Sequence, residues 1–225
     1  KLIEERFRDQ GVNLPVGTLR PYLPGARFRV GRAFEVEGVA VNHSILEAAA
    51  LILRTPDGNL VHTGDFRVDP QPFIGKEMDF EPFRRVAEEG VLLLMSDSTN
   101  VERHSDQPSE QTVFEGLLPF LADAPGLSVV TLFASNVGRV GQVLEISKRL
   151  GKKVALAGRS MVNNARIARE CGYLSGAESC LVELENIMSV PRSKAVVLAS
   201  GCQGEYQSAV MRMALGEHRF IDLEP

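Results

Sequence analysis

The sequence predicts an α/β protein made of two units with different sheets, and three observations support this. In the first hundred residues, short alternating or apolar segments follow one another with few helical patterns, which is typical of an antiparallel-rich sheet. From about residue 110 onward, apolar strands alternate regularly with helical patterns, which indicates a parallel sheet with right-handed crossovers. A polar stretch over 101–108 separates the two patterns. We therefore expect a domain boundary near residue 106, with domains at 1–106 and 107–225.

The first domain begins with a predicted helix over residues 1–9, which Gly11 and Pro15 close. Four strands are then predicted, at 28–30, 33–41, 49–55 and 60–63. The turn sequence over 56–58, Pro-Asp-Gly, joins the last two into a β-hairpin. Asp79 is expected to cap a helix that ends near Glu89. The continuous apolar run over 91–95 predicts a strand buried on both faces.

The second domain shows a repeated alternation of strands and helices. The predicted strands lie at 128–133, 153–157, 180–183 and 195–199. The predicted helices lie at 110–122, 137–150, 161–171 and 205–215. This order predicts a doubly wound parallel sheet.

The composition is that of a soluble globular protein, with 44% apolar and 24% charged residues. No apolar run reaches 18 residues, and no signal peptide is recognisable, so we expect no membrane association. The three cysteines show no CxxC spacing, which favours reduced thiols and a cytoplasmic location. Because the net charge is −4, an anionic partner must be met by a local basic patch or by a metal ion.

Three predicted strands end in a potential metal ligand: His43, Asp65 and Asp97. A rigid sheet fixes where such side chains point, and imidazole and carboxylate groups suit borderline and hard divalent metals. Each residue also has a simpler interpretation, as a hydrogen-bonded imidazole, a turn residue or a turn cap. Two firm ligands do not complete a four-coordinate site, and His62 is expected to have a structural or surface role.

Three predicted strands of the second domain end in similar small polar segments, at 133–136, 157–160 and 199–205. Glycines and hydroxyl residues before helices expose backbone N–H groups that suit phosphate. Ligands of open α/β sheets bind at this edge. The same residues could be only N-caps and turn glycines, and no dinucleotide or P-loop fingerprint is present. From the residues alone, a nucleotide or nucleic-acid surface and plain capping stay open.

Six segments in collinear order resemble the ribonuclease J family, in the β-CASP branch of the metallo-β-lactamase superfamily. They are Val41-Asn-His-Ser44, His62-Thr-Gly-Asp-Phe66, Leu94-Met-Ser-Asp-Ser-Thr-Asn100, Thr131-Leu-Phe-Ala-Ser-Asn136, Gly158-Arg-Ser-Met161 and Ser200-Gly-Cys-Gln-Gly-Glu205. The resemblance implies a partial αββα metallo-β-lactamase lobe followed by most of a Rossmann-like β-CASP insert. It also implies two divalent metal ions, zinc with manganese as the alternative.

The resemblance assigns roles to individual residues. His43 is similar to a zinc-binding histidine, and Asp65 to the aspartate that bridges two zinc ions. Asp97 is similar to the acid that orients a histidine near the scissile phosphate, so Asp65 and Asp97 are the implied catalytic residues. The implied RNA-binding residues are Ser135, Asn136, Arg159, Ser160, Gln203 and Glu205. The implied activity is metal-dependent hydrolysis of single-stranded RNA in RNA processing and decay, by a homodimeric 5′-to-3′ exonuclease that also has endonuclease activity.

The chain also departs from the family pattern. The family's HxHxDH cluster would lie before Lys1 and its later histidine motifs after Pro225, so we expect an internal segment that is inactive alone. Gly138 stands where a histidine is usual, and Cys202 where a serine is usual. Three alternatives remain: another β-CASP nuclease acting on DNA or on mRNA or tRNA ends, a non-catalytic RNA-binding paralogue, and a nucleotide-binding α/β domain without hydrolysis.

Overall fold

The computed structural model describes residues 1–104, 107–176 and 178–223, and these form a mixed α/β fold that includes a parallel sheet. The predicted α/β class is confirmed. The strands are β1 (Arg27–Val30), β2 (Phe34–Ala40), β3 (Ala49–Thr55), β4 (Gly58–His62), β5 (Val91–Met95), β6 (Ser128–Thr131), β7 (Lys153–Ala157) and β8 (Ala195–Ala199). The α-helices are α1 (Leu2–Asp9), α2 (Glu81–Glu89), α3 (Glu110–Asp123), α4 (Val137–Arg149), α5 (Arg159–Glu170) and α6 (Ala209–Ala214).

The chain divides into two compact units. The N-terminal unit comprises residues 3–110, and the C-terminal unit comprises 111–225 together with residues 1–2. The boundary expected near residue 106 falls outside the described residues. None of the helices in the described part of the chain is both long and apolar enough to span a bilayer.

The N-terminal unit is a five-stranded sheet in the order β1–β2–β3–β4–β5. The first four strands are antiparallel, and β5 pairs with β4 in parallel. The predicted hairpin closes with Thr55 opposite Gly58. Helix α2 covers one face of the sheet, where Val86 packs with apolar side chains of β2, β3 and β4 and of the residue after β2. Those residues are Val39, Val41, Ala50, Ile52 and Val61.

The prediction that 91–95 is buried on both faces is wrong, because all five residues of β5 are exposed. The strand lies at the edge of the sheet and, among the residues that the structure describes, pairs only with β4. The core beneath α2 is formed by β2, β3 and β4, so β5 lies outside it. The predicted helix at 79–89 begins at Glu81, and the Asp79 carboxylate accepts a hydrogen bond from the Glu81 N–H.

The C-terminal unit is a three-stranded parallel sheet in the order β6–β8–β7. Every residue of β8 is buried because this strand has a neighbour on each side. The strand predicted at 180–183 is wrong: Leu181 makes one isolated bridge with Val154, between 3₁₀ helices at Glu178–Cys180 and Leu184–Ser189. Those short helices turn the chain away before a ladder can form.

The last helix begins later than predicted, at Ala209 and not at 205. Gln207 has φ of 61°, a left-handed conformation that interrupts a right-handed helix. Ser208 then acts as the N-cap, and its side chain accepts a hydrogen bond from the Met211 N–H. The residues over 200–208 therefore form an ordered loop between β8 and α6.

Lys152, directly before β7, is buried, and its Nζ has no hydrogen-bond partner among the described residues. Burial lowers the pKa of Lys152, and the charge of Lys194 lowers it further. A buried amine without a partner opposes folding because it loses its hydration. Replacement of Lys152 by Met is therefore expected to raise the free energy of unfolding at neutral pH by about 1–3 kcal/mol.

The pH dependence of the stability gained by Lys152→Met tests whether the charge of the buried Lys152 amine causes the destabilisation. The folded protein holds the Lys152 proton less tightly than the unfolded chain, so the destabilisation is fully present below the folded pKa. It is relieved as the pH rises towards the unfolded value of about 10.4. The difference between Lys152→Met and the wild type, measured by urea unfolding, should shrink over that alkaline range. Lys148→Met, at an exposed site, should change stability by less than about 0.5 kcal/mol. Destabilisation by Lys152→Met would contradict the argument.

Candidate functional site

His43 and Asp65 lie next to each other because the segments after β2 and β4 pair beyond their strands. Asn42 and Arg67 form an isolated antiparallel bridge, and the Arg67 N–H donates to the Asn42 carbonyl at 2.8 Å. This bridge places His43 Nε2 at 3.7 Å from Asp65 Oδ2. The side chains are 31% and 80% exposed, respectively. Two residues that are 22 positions apart in the chain therefore present one nitrogen and one oxygen to the same point at the surface.

The turn before Asp65 depends on Gly64. Its φ is +61°, and a Cβ at this position would lie 3.0 Å from the Ala49 carbonyl oxygen, so a side chain here would strain the turn. The Gly64 N–H donates to His62 Nδ1 at 2.9 Å, which gives His62 a structural role. The turn therefore leaves the Asp65 carboxylate exposed to solvent. The imidazole of His62, in contrast, is engaged by the backbone N–H of Gly64.

Asp97 connects the end of β5 to this turn. Its backbone N–H donates to Thr63 Oγ1 at 2.9 Å, and its Oδ2 accepts a hydrogen bond from the Phe66 N–H at 3.4 Å. Its Oδ1 accepts from the Thr99 N–H at 2.9 Å. The N–H and hydroxyl of Thr99 lower the pKa of Asp97, with smaller contributions from the Phe66 N–H and the charge of His43. Asp97 is thus an ionised carboxylate that caps the turn at Thr99 through Oδ1 and holds the Phe66 N–H through Oδ2.

The donor set of His43 and Asp65 fits part of a divalent metal site. Two ligands of one zinc ion, each about 2.0–2.2 Å from the metal, lie about 3–4 Å apart, and the distance of 3.7 Å between His43 Nε2 and Asp65 Oδ2 is within that range. Within residues 1–104, 107–176 and 178–223, however, no group of three His, Cys, Asp or Glu side chains is arranged to hold a metal ion. The described residues therefore supply two ligands of a site that needs further ones.

The loops that follow β6, β8 and β7 lie along one edge of the parallel sheet, and we call residues 132–136, 158–160 and 200–206 the strand-end surface. Of the predicted RNA-binding residues in it, Ser135, Arg159, Ser160, Gln203 and Glu205 are exposed, and Asn136 is half-buried. Parallel pairing of β8 with both neighbours brings these segments to the same edge, as the alternation of strands and helices predicts.

Two of these residues have structural tasks. Asn136 is the N-cap of α4, and its Oδ1 accepts from the Arg139 N–H at 3.0 Å. Glu205 Oε2 accepts from the Gln203 N–H at 3.1 Å. Arg159, in contrast, forms no ion pair with any residue of the described ranges, so its guanidinium is free to meet an anion. The capping interpretation therefore applies to Asn136, whereas the side chain of Arg159 is of the type that suits phosphate.

Two exposed aromatic residues of this surface escaped the sequence-based prediction. Tyr206 is 86% exposed and Phe133 is 50% exposed. Both stand inside or next to the motif loops, and that position is the signal that could have identified them. Of the two departures from the family pattern, Gly138 lies half-buried in the first turn of α4 and Cys202 is exposed.

Comparison with known proteins confirms the resemblance to ribonuclease J. The sequence profile of "Ribonuclease J, beta-CASP domain" matches residues 126–225. Ribonuclease J of Sinorhizobium meliloti is 44% identical over 197 residues, which cover 88% of this chain and 35% of that protein. Ribonuclease J of Thermus thermophilus is 36% identical over 224 residues, covering 100% of this chain and 39% of that protein. The chain thus spans little more than a third of these relatives.

A ribonuclease J from Mycobacterium tuberculosis is also similar, with 41% identity over 190 residues, 84% of this chain and 34% of that protein. Among solved structures, a protein of unknown function from Enterococcus faecalis V583 superposes with a TM-score of 0.59. It is 16% identical, and the match covers 99% of this chain and 61% of that one. At this identity the likeness concerns the fold alone.

Proposed function

We propose that this chain, which carries a ribonuclease J β-CASP domain and is similar to ribonuclease J along its length, forms the central part of a metal-dependent ribonuclease. The observation that carries the proposal is the convergence of His43 and Asp65 at 3.7 Å. Similarity alone would not require these two side chains to meet. An imidazole and a carboxylate that converge at an exposed point are suited to a divalent cation.

In this proposal His43 and Asp65 are ligands of a two-ion site that other parts of the complete polypeptide finish. Bound divalent ions would neutralise charge on a phosphodiester and promote attack by water. Zinc is the proposed metal, and manganese accepts the same ligands. Asp65 would supply the shared carboxylate ligand. Asp97, kept ionised by its hydrogen bonds, positions the turn after Asp65 and offers a carboxylate to a cationic group that assists the leaving oxygen.

The C-terminal unit would bind the substrate, which we propose to be single-stranded RNA. Arg159 offers a free guanidinium for a phosphate, and Ser135, Ser160 and Gln203 are exposed polar groups on the same surface. The chain carries a net charge of −4, so local cations of this kind must offset the overall repulsion of RNA. The proposed reaction is 5′-to-3′ exonucleolytic cleavage with additional endonuclease activity, in a cytoplasmic homodimer.

The proposal is tested on the complete polypeptide by measuring its metal content together with hydrolysis of 5′-monophosphorylated RNA. We expect about two equivalents of zinc or manganese to copurify with each chain. We also expect a chelator to abolish the activity and the metal to restore it. A protein that cleaves RNA at an unchanged rate after all divalent metal has been removed would overturn the proposal.

A second candidate function is RNA binding without hydrolysis. The observation that favours it is the presence of only two metal-ligating side chains at the site within the described residues. A complete polypeptide that binds single-stranded RNA, retains no divalent metal and produces no cleavage products would support this alternative over the nuclease.

A further inference from the structure

We propose that the ring of Tyr206 stacks on a base of single-stranded RNA at the strand-end surface, an inference that rests on the proposed function. No ribonuclease J role was assigned to this residue by the sequence motifs, which end at Glu205. The side chain is 86% exposed. Its hydroxyl makes no hydrogen bond with any residue in the described part of the chain, so neither packing nor a polar contact accounts for the ring.

The sheet order places the strand that precedes the Tyr206 loop between two strands whose following segments carry other groups that nucleic acid can use. Tyr206 lies in the loop after β8, the central strand, whereas Phe133 follows β6 and Arg159 follows β7. Neighbouring strands lie about 4.8 Å apart, so the segments that carry Phe133 and Arg159 leave the sheet on either side of the strand that leads into the Tyr206 loop. Aromatic rings that offer a face to bases, next to a cation that meets the backbone, are the usual components of a single-strand binding surface.

The loop that carries the ring is held by its own backbone. The Gly204 N–H donates to the Gly201 carbonyl at 3.0 Å, and the Ser208 N–H donates to the Glu205 carbonyl at 3.1 Å. The left-handed conformation of Gln207 adds a constraint on the position that follows the ring. A loop whose backbone is already ordered loses little further backbone freedom when its aromatic side chain stacks, which favours binding.

Charge indicates which part of RNA the ring would meet. The Glu205 carboxylate lies next to Tyr206 in the chain and is exposed, so it repels phosphate at this point. A base, which is uncharged, suits the position better. Every base offers a flat aromatic face on which the ring can stack, so the contact would strengthen binding with little sequence preference.

The absence of tryptophan from the 225 residues makes a direct test possible. In Tyr206→Trp the new indole is the only one in the chain, and a stacked base quenches its fluorescence. We expect quenching by a single-stranded oligoribonucleotide but not by inorganic phosphate or an abasic oligomer of equal charge. The matched control is Phe120→Trp, at a site that is 77% exposed. Phe120 lies near the end of α3, which leads into the amino end of β6 and is not part of the strand-end surface. Its fluorescence should not change.

Affinity provides the second measurement. Tyr206→Ala is expected to weaken binding of a single-stranded oligoribonucleotide about 5- to 100-fold by fluorescence anisotropy, whereas Tyr206→Phe keeps the wild-type affinity because the ring is retained. Binding with unchanged affinity in Tyr206→Ala and unchanged fluorescence in Tyr206→Trp would overturn the stacking contact while leaving RNA binding intact. A wild-type protein that binds no RNA would overturn the proposed function itself, and the stacking contact with it.

Discussion

Replacement of Asp65 by Ala in the complete polypeptide is expected to lower the rate of RNA hydrolysis about 10³-fold. The carboxylate is the proposed shared ligand, and the metal charge that it would help to hold would stabilise the transition state by several kcal/mol, at about 1.4 kcal/mol per tenfold change in rate. The side chain is 80% exposed, so its loss should leave the free energy of unfolding nearly unchanged. Steady-state cleavage of 5′-monophosphorylated RNA, with metal content measured on the same sample, checks both parts.

The matched control is Asp57→Ala. Asp57 is an exposed aspartate of the same unit and lies in the turn between β3 and β4, where its own N–H donates to Thr55 Oγ1. This variant should keep wild-type activity and metal content. Wild-type activity of Asp65→Ala in metal-replete buffer would show that the bridging role is wrong. Loss of activity with a lowered melting temperature would instead indicate a structural effect of the change.

Replacement of Glu37 by Ala is expected to destabilise the N-terminal unit by about 3–5 kcal/mol, because it removes the shared anion of a cluster of three arginines. Glu37 is 2% exposed and accepts from Arg54 at 2.8 Å and from Arg85 at 2.6 Å, with Arg27 at 3.1 Å. Without the carboxylate these positive charges repel one another at the edge of the core. Urea unfolding monitored by circular dichroism measures the change.

Glu35→Ala is the control for this prediction. Glu35 lies two residues earlier on β2, on the same face of the sheet, and its side chain is half-exposed and 3.7 Å from Arg27. An exposed ion pair of this kind contributes about 1 kcal/mol or less. If Glu37→Ala lowered the free energy of unfolding by less than about 1 kcal/mol, as little as Glu35→Ala does, the conclusion that the buried Glu37 carboxylate stabilises the arginine cluster would be wrong.

Much of the fold could be predicted because its signals are local. The turn over 56–58 specifies the hairpin of β3 and β4, and the regular alternation after residue 110 specifies a parallel sheet with its loops at one edge. The motif order was sufficient to indicate a resemblance to ribonuclease J, and the comparisons confirm that similarity. His43 and Asp65 could be named because each ends an apolar run, although their roles as ligands stay predictions.

The remaining features depend on contacts between distant residues. The apolar run of β5 predicted a buried strand, but its edge position leaves it exposed. Glu37 alternates with apolar residues in β2 as a solvent-facing residue would, yet arginines from β3 and α2 enclose it. Tyr206 was predicted to lie in a helix from 205, but α6 begins at Ala209 and Gln207 is left-handed, so the residue lies in the preceding loop.

For this protein, residue type and spacing determined the α/β class, the hairpin, the order of strands and helices apart from the strand predicted at 180–183, and the motifs that carry the family resemblance. Only the tertiary structure decided that the Asn42–Arg67 bridge closes His43 onto Asp65, that β5 lies outside the core, and which aromatic rings reach solvent. The physical reason is that turn and periodicity preferences act over a few neighbouring residues. Burial and the meeting of side chains are set by which elements pack together, and that is a property of the whole chain.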